Sequence, residues 1–69
     1  MHKYLTIIFW STEDKVFVAQ TPELAGCIAH GQTQAEAQKN LEYAVDLWIE
    51  TTKEFGDEIP SPASTLIAV

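Results

Sequence analysis

Cys27 stands three residues before His30, and a thiol beside an imidazole is the smallest set that could run nucleophilic catalysis, the ring drawing the proton from sulfur. The spacing opposes that use. Both residues fall in Cys27-Ile28-Ala29-His30, a strand-like run that ends at Gly31, and residues three apart on a strand point to opposite faces. Cys27 then reads as a small buried hydrophobe near a turn. A thiol made reactive by its surroundings is the lesser reading.

The ten carboxylates invite a metal-dependent nuclease, which needs several of them converging from strand interiors to hold ions about 3.5–4 Å apart. Glu13 and Asp14 lie at a hairpin tip, Glu23 in a loop, and the others on or just after a helix. Convergence is not expected. One cysteine with His2 and His30 falls short of a four-ligand zinc site, and there is no phosphate-cradling glycine loop or Ser-His-Asp pattern. The reading is a protein with no catalytic residue, no metal and no cofactor.

Glu42, Asp46, Glu50 and Glu54 recur every four residues and form an acidic ridge on one helix face. Each like-charge neighbour pair costs an isolated helix about 0.2–0.5 kcal/mol, so the ridge is locally unfavourable. It is either a solvated face or a docking surface for a basic partner. The net charge of −6 points the same way, and all four basic residues are lysines. Without arginine, direct nucleic-acid binding is not expected.

These residues must be positioned by a chain of 69 residues, which allows one domain, residues 1–69, and no separate DNA-binding module is expected. Tyr4–Trp10 is β-branched and aromatic and reads as a strand covered on both faces; Ser11–Lys15 is a polar loop of about five residues; Val16–Gln20 is a second strand. Pro22 and Gly26 bracket a turn into the third strand. Thr33-Gln34-Ala35-Glu36 is a capping box opening a helix from Gln34 to Phe55. Its stripe is Ala37, Leu41, Ala44 with Val45, Trp48, Thr52 and Phe55. Gly56 suits a left-handed helix end, and Thr65–Val69 is an apolar strand-like run, most simply placed beside the first strand. The order is β-β-β-α-β, an α+β domain: a three-stranded antiparallel meander plus a C-terminal strand, with one long helix packed on the sheet.

So short a chain has a core that rarely supplies more than about 3–5 kcal/mol, and it has neither a disulfide nor a zinc site to add to it. Homo-oligomerisation is expected, with Leu66, Ile67 and Val69 as the candidate edge. No apolar run is long enough to span a membrane. The lone cysteine and the missing leader pattern suit the cytoplasm.

From Tyr4 to Pro62 the chain resembles the HicB-like antitoxin family of toxin–antitoxin pairs. The resemblance rests on Pro22-Glu23-Leu24-Ala25-Gly26-Cys27, on Gly31-Gln32-Thr33-Gln34-Ala35-Glu36-Ala37, and on a helix closing at Ile59-Pro60-Ser61-Pro62. Ala25 stands where a second proline is common, and Gln32 where an acid is common. The resemblance implies a degenerate ribonuclease-H-like fold without nuclease activity. It also implies a small basic RNA-cleaving HicA-type toxin as partner, whose RNA surface and catalytic histidine the domain would cover. A solitary homo-oligomer with a regulatory or structural role is the alternative, and a residual nuclease a third.

Overall fold

The computed structural model describes residues 3–60, within which β1 (Ile7–Ser11), β2 (Val16–Gln20) and β3 (Ile28–Gly31) precede α1 (Gln34–Glu54). The strands pair antiparallel in the order β1-β2-β3, with Ile8 opposite Ala19 and Ala19 opposite Ala29. That row faces α1. Its residues pack with Leu24, Cys27, Ala37, Leu41 and Val45 into one core. The expected run Thr65–Val69, including Leu66, Ile67 and Val69, lies outside the described residues.

The β1–β2 turn is tight because Ser11 does two jobs. Its carbonyl accepts the Lys15 N–H at 2.7 Å and its hydroxyl accepts the Asp14 N–H at 3.3 Å. Closing the four-residue loop puts Lys15 at φ 56°, a left-handed conformation that L side chains disfavour. Pro22–Gly26 is closed at its base by Thr21 N–H donating to the Cys27 carbonyl (3.1 Å), and Gly26 supplies the φ of +74° that the return needs. Leu24 at its crest is pressed into the core. Thr21 is buried there with its hydroxyl oxygen unpartnered among the described residues.

α1 opens as the sequence predicts, with one shift. The Thr33 hydroxyl accepts the Glu36 N–H at 3.0 Å, but the Glu36 carboxylate reaches past the cap to the Gln32 N–H at 2.9 Å. It still satisfies a donor that the turn would otherwise leave open. At the other end Gly56, at φ +73°, donates to the Lys53 carbonyl and Asp57 donates to the Thr52 carbonyl, the paired bonds of a Schellman end.

Three expectations need correction. β1 starts at Ile7 rather than Tyr4. It is not covered on both faces by the described residues, because α1 lies on one face and leaves Ile7 and Phe9 exposed on the other. Phe55 is not core either. At 76% exposed it lies beyond the sheet, since a helix of 21 residues runs about 31 Å and strands of five residues about 17 Å.

Candidate interaction surface

Cys27 and His30 are held apart, although β3 starts at Ile28 and not at Cys27 as expected: Cys27, just before the strand, is buried in the helix-side core, and His30 is exposed opposite Val18 on the outer face. Burial raises the Cys27 thiol above its ordinary pKa of 9.0 by withdrawing the thiolate from water. Such a thiol is a poor nucleophile near neutral pH. Among the described residues no group of three or more His, Cys, Asp or Glu side chains could hold a metal ion. No helix there is long and apolar enough to cross a membrane.

The acidic ridge is a surface feature of α1. At 100° per residue, Glu42, Asp46, Glu50 and Glu54 centre about 160° from the buried stripe Ala37, Leu41 and Val45. Glu42 is half-buried and the other three are exposed. None of the four is ion-paired among the described residues. The same helical period sets Lys39 and Lys53 at the two ends of this face, which relieves part of the repulsion along it.

Two further surfaces were not legible as sites in the sequence. An open groove of about 320 Å³ runs between β3 and the second half of α1, lined by Cys27, Ile28, Leu47, Trp48 and Thr51 among others. Its walls are held by two side chains of α1. The Asn40 amide donates to the His30 carbonyl at 2.7 Å, and Trp48 Nε1–H donates to the Ala25 carbonyl at 3.0 Å. Trp48 therefore both packs on the core and fixes the Pro22–Gly26 loop. Trp10, by contrast, is about half exposed and meets Phe17 edge to face, with ring centroids 5.0 Å apart.

The second surface is the outer face of the sheet. Register sets Ile7, Phe9, Val18, Ile28 and His30 there. Val18, in the middle strand, is covered by its neighbours, while Ile7, Phe9 and Ile28 are exposed. The signal was present in the alternation of β1, since one helix can cover one face of a sheet and no more.

A family model described as the HicB-like antitoxin of bacterial toxin–antitoxin systems matches residues 4–68. The chain belongs to the HicB-like antitoxin family. A UPF0150 protein of Thermoplasma acidophilum is 34% identical over 64 residues, covering 93% of each chain. Another UPF0150 protein, from Synechocystis sp., is 36% identical over 55 residues, covering 80% of this chain and 75% of its own. No solved structure matches. The surfaces above are what this HicB-like chain presents to solvent.

Proposed function

We propose that this HicB-like chain is a non-enzymatic antitoxin that binds a small, basic, RNA-cleaving toxin of the HicA type and covers its RNA-binding surface. The observation that carries the docking assignment is the ridge Glu42, Asp46, Glu50 and Glu54, turned away from the core and free of ion pairs among the described residues. A surface that cleaves RNA must attract phosphates, and carboxylates at a four-residue repeat compete for the same cations. The buried, unpaired thiol of Cys27 suits the reducing cytoplasm.

In the same reading, residues 65–69 add a fourth strand beside β1 and complete a ribonuclease-H-like sheet. The support for this is that the Tyr4 hydroxyl donates to the Pro60 carbonyl at 2.6 Å, returning the chain to the start of β1, an edge strand.

The test is co-purification with the short basic chain encoded beside it, followed by affinity across a salt series. With Glu42→Gln, Asp46→Asn, Glu50→Gln and Glu54→Gln combined, affinity should fall at least about tenfold and its salt dependence should flatten. Unchanged affinity would remove the ridge from the interface while leaving the antitoxin reading standing. Reproducible absence of any basic partner would favour the second reading, a solitary homo-oligomer, for which the exposed Ile7, Phe9 and Ile28 speak.

A further inference from the structure

We infer that the outer face of the sheet is the seat of a second copy of this chain, packed sheet to sheet so that two helices and their acidic ridges face outward on opposite sides. The inference does not depend on the antitoxin reading. It starts from where the charge lies. All ten carboxylates of the chain are in the β1–β2 turn, the Pro22–Gly26 loop, α1 or the two residues after Gly56, and the strands carry none. The outer face presents Ile7, Phe9, Val18 and Ile28 with Gln20 and His30. Two chains of net charge −6 repel wherever carboxylates meet, and this is a face on which they do not.

Other occupants fit less well. A basic partner would find no carboxylate there to pair with. A second copy brings the same apolar face across a two-fold axis, at the roughly 10 Å spacing of stacked sheets. The core also lacks what the face would add. Among the described residues its fully buried side chains are no larger than leucine, and Phe9 is left 44% exposed and Ile28 48% exposed.

Sedimentation equilibrium of the full chain should give twice the 7.7 kDa chain mass, with association insensitive to salt or strengthened by it. Phe9→Glu and Ile28→Glu should each give a monomer with an unchanged far-ultraviolet circular dichroism spectrum, whereas Leu47→Lys, in the groove, should stay dimeric. Hydroxyl-radical footprinting of the unmodified chain reads the same face without mutation: modification of Phe9 and Ile28 should rise at least threefold on dilution below the dissociation constant, and that of Tyr43 should not. A monomeric wild type, folded dimers of both glutamate variants, dissociation by Leu47→Lys, or footprints that do not change with dilution would each overturn the inference. If Phe9→Glu fails to fold, Ile28→Glu on the edge strand and the footprint decide.

Discussion

Gly31 lies directly against the first turn of α1: a Cβ built on it would stand 2.8 Å from the carbonyl carbon of Glu36 and 2.9 Å from the Cα of Ala37, closer than real side chains come. The obstacle is backbone on both counts, so no rotamer change relieves it. The absent side chain of Gly31 is what lets the helix start within van der Waals distance of β3, and the Asn40–His30 hydrogen bond one turn later depends on that approach.

Gly31→Ala should therefore destabilise the chain by about 2–3 kcal/mol, the upper range for overpacking a site that cannot yield. Against the roughly 3–5 kcal/mol that a core of this size supplies, about 0–3 kcal/mol would remain, which leaves the fold marginal. Urea titration of the purified variant, followed by circular dichroism, measures the loss. A midpoint within experimental error of wild type would mean that α1 can move away from β3 without cost.

Lys15 adopts φ 56° to close the β1–β2 turn. Lys15→Gly removes the steric penalty of a left-handed L residue, about 1–2 kcal/mol, and returns part of it as unfolded-state entropy. The net expectation is stabilisation by about 0.5–1 kcal/mol, read as a higher urea midpoint at unchanged slope.

Trp48 donates its indole N–H to the Ala25 carbonyl and packs against the core. Trp48→Phe keeps the ring and deletes the donor. The carbonyl belongs to an exposed residue and can rehydrate, so the cost should be about 0.5–1.5 kcal/mol rather than the full penalty of an orphaned buried group. Hydrogen exchange should show the loss locally, at the amides of Leu24 and Cys27 that hold the loop closed. A loss spread evenly over the sheet would mean that the indole acts through packing alone.

Cys27 is an acid whose folded pKa lies above its ordinary value of 9.0, because burial disfavours the thiolate. Below that pH the thiol is neutral in both states and folding loses nothing; above it the unfolded chain ionises first, so stability falls as pH rises. The wild type should lose more stability between pH 8 and pH 10 than Cys27→Ala does, the difference isolating the thiol from tyrosine titration. Equal pH slopes for the two proteins would contradict it. At neutral pH, Cys27 should react with iodoacetamide at least about tenfold more slowly than in the urea-unfolded chain.

Local chemistry settled much of this in advance. Thr33 and Glu36 mark the helix start, and Gly56 marks its end, because caps and left-handed turns are decided within a few residues. The run Val16–Gln20 is the β2 strand as the sequence predicts. The separation of Cys27 and His30 was expected from the two-residue period of a strand, although Cys27 lies just before β3. Family membership was equally legible, since the Pro22–Cys27 and Gly31–Ala37 segments that carry the resemblance are local patterns.

What only the tertiary structure decided depends on how the elements meet. The sequence of β1 is apolar on both faces, and its pattern cannot say which face a helix will cover; the register Ile8–Ala19–Ala29 does, and it leaves Ile7 and Phe9 exposed. Phe55 continues the helix stripe perfectly well by period, yet it lies past the end of the sheet, because the length of the surface beneath a helix is not written in the helix. Nor does the spelling of Gly31 reveal whether it is a turn glycine or a close-approach glycine. That distinction is a distance between two backbones, which the sequence determines only through the whole fold.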